Sequence, residues 1–226
     1  MPDAADARRA GRDYFATDPS TLAQRLLGAR LCRRLPTAEV LRGAIVETEA
    51  YLGVDDLAAH SAGWRRTART EPMYGPPGTI YVFQVYGMHH CLNFVCGAVD
   101  EPVAVLIRAV EPIDGIETMR RLRQSPGKRP LRDRDLCSGP GRLCGAFGID
   151  RAFDGRDIAS EEGLWLEPAA EGSWGGSEAS RIGNSARVGV EYAGAWADKP
   201  LRWFVRDSIH VSRARPSGAV AKRPDA

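Results

Sequence analysis

The stretch Thr79-Ile80-Tyr81-Val82-Phe83-Gln84-Val85-Tyr86-Gly87-Met88-His89-His90-Cys91-Leu92-Asn93-Phe94-Val95 decides the fold. Its first eight residues are β-branched or aromatic at nearly every position, which is the composition of a strand. Gly87-Met88-His89 reads as a turn, and residues 91–95 return as a second strand. Two such runs joined by a short glycine turn make an antiparallel hairpin, because parallel strands need a much longer crossover. The Pro/Gly-rich loop at residues 72–78 marks where the hairpin begins.

Working outward, residues 43–52 read as a strand ending in the turn Gly53-Val54-Asp55-Asp56, and residues 103–109 as an apolar interior strand. Trp165, residues 188–190 and residues 201–205 suggest further strands. Leu22, Leu26, Leu27 and Leu31 follow a Ser/Thr cap at helical spacing, predicting a helix over residues 20–31. Residues 113–123 predict a second helix, and a third follows the Gly139-Pro140-Gly141 break to Phe147. The elements alternate without βαβ regularity and without a nucleotide-binding glycine motif. This predicts an α+β fold in a single domain, a curved and mostly antiparallel β-sheet flanked by helices with a protruding β-hairpin. Residues 13–212 form the expected domain, residues 1–12 a flexible N-terminus and residues 213–226 a flexible basic tail. Residues 172–177 read as a floppy insertion in which Trp174 is a loop aromatic.

With 226 residues and a net charge of +2, the chain is long enough for one domain with a core of its own. No run approaches the roughly 18–20 apolar residues of a membrane helix. Residues 1–12 are polar and lack the apolar segment of a signal peptide, so a cytoplasmic protein with no membrane partner is expected. The five cysteines are odd in number, include no C-x2-C pair, and stand with four histidines that form no H-x3-H pair. Reduced, buried thiols and no metal are expected. Basic residues cluster at Arg65, Arg66 and Arg69, at 120–134, and at Arg202, Arg206, Arg213 and Arg215. Such clusters suit phosphate contact, with a solvated surface as the alternative.

Chemistry concentrates in Ile45-Val46-Glu47-Thr48-Glu49-Ala50-Tyr51. At strand period Glu47, Glu49 and Tyr51 share one face, and Val46, Thr48, Ala50 and Leu52 the other. Two carboxylates among good strand formers break the local pattern, as functional sites do; the alternative is a polar face turned to solvent. His60, after the turn, is either structural or a hydrogen-bond donor near a substrate. Tyr81 and Phe83 share a strand face, while Tyr86, Met88 and His89 crowd the hairpin tip. Such a tip suits a wedge entering the DNA minor groove beside an extruded base. The alternative is a core hairpin whose turn tucks under another element.

These residues carry a resemblance. Glu47-Thr48-Glu49-Ala50-Tyr51-Leu52-Gly53, with Asp56 and Ala58-Ala59-His60, resembles the alkyladenine DNA glycosylases, also called 3-methyladenine or methylpurine DNA glycosylases. The similarity continues through Met73, Pro77-Gly78, the hairpin from Tyr81 to Met88 and Cys91-Leu92-Asn93. It extends over Leu106-Ile107-Arg108 to Pro112, Leu136 to Pro140, Arg187-Val188-Gly189 and Lys199 to Arg202, covering residues 18–212.

The resemblance implies a base excision repair enzyme that flips alkylated or deaminated purines out of double-stranded DNA. It hydrolyses the N-glycosidic bond and leaves an abasic site. It implies that Glu49 activates the attacking water, with Arg108 holding that water. Tyr51 and Phe83 stack on the flipped base, His60 donates a hydrogen bond beside it, and Asn93 rejects guanine through its amino group. Tyr86 intercalates, with Met88 and His89 beside it as DNA contacts. Phe83 stands where some members carry tyrosine, and His89 where others carry a phenol, which bears on substrate preference. The implied substrates are 3-methyladenine, 7-methylguanine, hypoxanthine and ethenoadenine. An aromatic sandwich would give the cationic bases a cation–π gain of about 0.5–2 kcal/mol. No lysine stands at the pocket positions, so a monofunctional hydrolase without cofactor or metal is expected, a monomer acting at the bacterial nucleoid. Two other classes are weighed: a lesion-binding protein without catalysis, and a metal-dependent hydrolase using His60, His89 and His90.

Overall fold

The hairpin forms where it was read. A computed structural model describes residues 9–169 and 181–212; the expectations for residues 172–177, for 213–226 and for the first eight residues lie outside the described residues. Strands β3 (Ile80–Val85) and β4 (His89–Cys96) pair antiparallel from Ile80↔Phe94 to Val85↔His89. His89 therefore opens the second strand instead of closing the turn. The turn itself is Tyr86-Gly87, both at positive φ (52° and 69°), with the Met88 N–H donating to the Val85 carbonyl at 3.3 Å. Positive φ at both central residues is the type I′ pattern, whose twist matches that of the strands it joins.

Around this hairpin lies an eight-stranded sheet, every pairing antiparallel, in the order β3-β4-β5-β2-β1-β6. The added strands are β1 (Arg30–Arg34), β2 (Val40–Tyr51), β5 (Val103–Asp114) and β6 (Leu164–Glu167). β7 (Ile182–Ser185) pairs with β8 (Arg202–Val205), and β8 joins β2 along Glu47–Glu49, beyond the end of β1. The long strand β2 is thus the axis of the sheet, flanked by β5 on one side and by β1 then β8 on the other.

Short helices cover the sheet: α1 (Arg12–Phe15), α2 (Pro19–Arg25), α3 (Ile116–Arg123), α4 (Asp133–Leu136) and α5 (Pro140–Phe147). Leu22, Leu26, Ile45, Val105, Ile107 and Phe147 meet in the main core, all fully buried. Because helices pack on one face and the C-terminal segment on the other, β2 is buried on both faces from Ile45 to Ala50. The solvent-facing alternative for its carboxylates is overturned, since Glu47 and Glu49 are both fully buried.

Several expectations are corrected. The helix over residues 20–31 stops at Arg25, and its cap is Asp18, whose carboxylate accepts from the Thr21 N–H at 2.9 Å. Gly28, at φ 83°, turns the chain so that Leu31 and Cys32 enter β1 between β2 and β6. The leucine spacing that looked helical is core packing by a turn and a strand. Residues 188–190 are not a strand; they are loop, leading into a 3-10 segment, Glu191–Trp196. Val46 does not share the core of Ala50: it packs with Ala109, Val205 and Val211. The reason is a double register slip, in which Ile45↔Val110 is followed by Glu47↔Ala109 and Thr48↔Ile107. Val46 and Arg108 are the unpaired extras, and such bulges re-aim side chains beside sites.

Candidate active site

Glu49 sits near the C-terminal end of β2, between Leu106 of β5 and Arg202 of β8. Its Oε1 accepts from the Val188 backbone N–H at 2.7 Å. Its Oε2 accepts from the Tyr51 hydroxyl at 3.0 Å and from Arg108 Nη1 at 3.2 Å. The bulge aims Arg108 between the two carboxylates, so its Nε also donates to Glu47 Oε1 at 3.2 Å. Glu47 accepts in addition from Arg202 Nε at 2.6 Å, from the Ser212 N–H at 2.6 Å and from Ser212 Oγ at 2.8 Å. Two carboxylates thus face two guanidiniums, as buried charges require, each paired and hydrogen-bonded. Burial alone would lower the Arg108 pKa, but Glu49 and Glu47 outweigh it and raise it. Burial, then the Glu49 charge, hold the Tyr51 phenol well above its ordinary value, so it stays a donor.

Tyr51 is fixed from another direction. Arg187 lies 4.7 Å from its ring centroid. This guanidinium is fully buried and grips Asp56 with two bonds of 2.6 and 2.8 Å, while also donating to the Ala50 carbonyl at 2.9 Å. Asp56 in turn accepts from the Leu52 and Ala58 N–H groups, each at 3.0 Å. The turn after β2 is therefore folded around one ion pair.

A cavity of about 220 Å³ opens beside this cluster, and Tyr51, His60, Phe83, Asn93 and Arg108 all line it. The structure so brings together five of the predicted site residues. Glu49 itself is not on the lining; it lies behind Tyr51, Arg108 and Val188, which bond to it and line the cavity. Tyr81, Phe83 and Val85 of β3 contribute at strand period, so the strand that walls the cavity also carries the hairpin tip.

His60 Nδ1 is 2.8 Å from the Tyr81 hydroxyl, and its ring packs edge-on against Phe83 at 4.5 Å between centroids. Burial, then the charges of Arg69 and Arg65, lower His60 to about 4, so it is neutral at pH 7. Burial pushes Tyr81 up to about 12, against the opposing charge of Arg69, so the phenol keeps its proton. With that proton donated to His60 Nδ1, the neutral ring is assigned its own proton on Nε2, where it is a donor. Asn93 Nδ2 donates to the carbonyls of Tyr81 (3.0 Å) and Cys91 (3.4 Å), leaving Oδ1 as its free acceptor.

At the tip, Tyr86 is 84% and Met88 71% exposed, and His89 is exposed beside them, so the reading of a tucked-under turn is overturned. A tyrosine at positive φ is strained, and strain of this kind collects at functional sites. His89 packs against Gly141, where an added Cβ would approach its ring to 3.1 Å. His60, His89 and His90 do not gather as ligands: among the described residues no three His, Cys, Asp or Glu side chains could together hold a metal ion. The five cysteines are buried free thiols.

Sequence reasoning missed Val188, the Arg187–Asp56 pair and the Arg202 and Ser212 donors on Glu47. Asp56, Arg187, Val188 and Arg202 stand inside recognised blocks, but no local spacing reports contacts across 131 to 165 positions.

The family described as Methylpurine-DNA glycosylase (MPG) matches residues 13–209. The DNA-3-methyladenine glycosylase of Homo sapiens is 49% identical over 208 residues, covering 90% of this chain and 68% of the relative. That of Mus musculus is 47% identical over 208 residues, covering 90% of this chain and 61% of the relative. A relative from Clostridium perfringens is 39% identical over 208 residues, 91% of this chain and 99% of its own length.

Proposed function

Because the chain belongs to the methylpurine-DNA glycosylase family, we propose that it excises alkylated purines from double-stranded DNA as a monofunctional N-glycosyl hydrolase. The observation that carries the reading is Glu49, a buried carboxylate whose three bonding partners all line one aromatic-walled cavity. A target atom inside the duplex is out of reach, so the nucleotide is extruded while Tyr86 and Met88 fill the gap. Unstacking costs a few kcal/mol and is cheapest at damaged bases, which is a first source of selectivity.

In the cavity the base stacks on Tyr51 and Phe83 and meets the His60 Nε2–H donor. Asn93, held by its Nδ2 bonds to the Tyr81 and Cys91 carbonyls, rejects guanine by occupying space that the amino group needs. Cleavage runs through an oxocarbenium-like sugar. Glu49, held as an acceptor by Val188, Tyr51 and Arg108, takes a proton from water at the Arg108 side of the cavity while its charge stabilises the sugar cation. No lysine is among the lining residues, so the reaction is hydrolysis and ends at an abasic site. Alkylated bases leave with little help, whereas hypoxanthine and ethenoadenine must gain a proton as they depart. The proposed substrates are 3-methyladenine, 7-methylguanine, hypoxanthine and ethenoadenine, and the proposed working unit is a monomer built from residues 13–212.

The test is incubation with a duplex carrying one 7-methylguanine or one hypoxanthine, followed by hot alkali, with breaks counted above a protein-free control because hot alkali alone cleaves at 7-methylguanine. Strand breaks at the lesion are expected only after alkali. No break at either lesion rejects the enzyme, and a break before alkali rejects the monofunctional mechanism.

A further inference from the structure

Both aromatic rings offered to the base carry a guanidinium. Arg187 lies 4.7 Å from the Tyr51 ring centroid and Arg69 5.4 Å from that of Phe83, and neither arginine is on the cavity lining. Their charges are balanced differently. Arg187 is buried and neutralised by Asp56. Arg69 is exposed, and among the described residues no carboxylate pairs with it.

The charge of Arg69 is felt along the cavity wall: it acts on His60, Tyr81 and Cys91, three residues that line the cavity with Phe83. Arg65 adds the same sign at His60. A ring whose quadrupole already holds a guanidinium has less attraction left for a second cation. A positively charged base would also meet uncompensated like charge nearby.

We propose that Arg69 is a specificity-determining residue: its unneutralised guanidinium, packed on Phe83 outside the cavity, tilts the pocket away from cationic purines and toward neutral ones. This opposes the preference that an isolated aromatic sandwich would give. It rests on the glycosylase reading and on Phe83 as a stacking surface.

Arg69 is exposed, so its substitution leaves the core untouched. The experiment compares wild type, Arg69→Gln and Arg69→Lys in single-turnover excision from matched duplexes bearing 7-methylguanine, which is cationic, or hypoxanthine, which is neutral. In Arg69→Gln the ratio of the two rates should rise in favour of 7-methylguanine by roughly two- to fivefold, the range of an exposed cation–π contact. Arg69→Lys should keep the wild-type ratio. An unchanged ratio in Arg69→Gln overturns the proposal, as does an equal fall of both rates, which would mark Arg69 as a backbone contact only. Independently of turnover, NMR titration should show the His60 pKa rising in Arg69→Gln, and no rise counts against the proposal. A wild type that excises neither base removes the glycosylase reading itself, an outcome distinct from a constant ratio.

Discussion

The backbone N–H of Val188 donates to Glu49 Oε1 at 2.7 Å, across 139 positions of chain. A main-chain donor survives every substitution at 188 except proline, so one oxygen of the carboxylate is fixed by the backbone and not by a side chain. The other oxygen is left to Tyr51 and Arg108. Glu49→Gln keeps the shape but removes the proton acceptor. Excision should fall by about 10²–10⁴-fold, the usual range for a general base. Lesion binding in a gel-shift assay should persist. A variant that excises at the wild-type rate would move the base elsewhere.

Tyr51 contributes a ring to the cavity and a hydroxyl to Glu49, and the two can be separated. Tyr51→Phe should leave lesion affinity unchanged while lowering the single-turnover rate about tenfold, equivalent to one hydrogen bond of about 1.4 kcal/mol to a charged group. Tyr51→Leu should weaken binding as well. Equal affinity losses in both variants would show that the hydroxyl, not the ring, holds the base.

Tyr86 pays backbone strain for its position at φ 52°. Tyr86→Asn, a residue that tolerates this region, should raise thermal stability slightly or leave it unchanged. The same variant should weaken binding to lesion duplex more than to single strand. If both forms of DNA lose affinity equally, the tip is not a wedge.

His60 gives a pH signature. Its folded pKa is lowered to about 4 from 6.5, chiefly by burial. Below pH 6.5 the unfolded chain takes up a proton that the folded protein refuses, so stability falls as pH drops from 6.5 towards 4. Above 6.5 this residue adds no pH dependence. The melting temperature of His60→Asn should decline less over that window than wild type, and parallel declines would mean that His60 is not held neutral.

Removing one partner of the buried Arg187–Asp56 pair strands the other. Arg187→Met should cost about 3–5 kcal/mol in denaturant unfolding. Asp56→Asn with Arg187→Met should recover part of that loss, because no isolated charge remains. A double variant no more stable than the single one would show that the backbone bonds of Asp56 dominate.

The hairpin was legible because its strands are continuous in sequence and a glycine-containing turn joins them, although the turn falls at Tyr86-Gly87 and not at residues 87–89. The same locality exposed Tyr51 beside Glu49 and Phe83 beside Tyr81. The end of α2 was not legible: Leu26, Leu27 and Leu31 are spaced as in a helix, yet Gly28 reverses the chain between them. Nor could period-two reasoning foresee that Val46 and Arg108 would slip out of register, which is what points Arg108 at both carboxylates. Resemblance named Glu49 over Glu47, but the role of Glu47 as anchor for Arg108, Arg202 and Ser212 depends on contacts that only a folded chain makes.

The ladder between β2 and β8 brings residues 202–204 against residues 47–49. During synthesis the ribosome therefore makes Glu49 long before it makes the strand and the Val188 amide that fix it. A polypeptide that ends before Val188 carries Glu49 and the hairpin tip but lacks the amide that fixes the carboxylate.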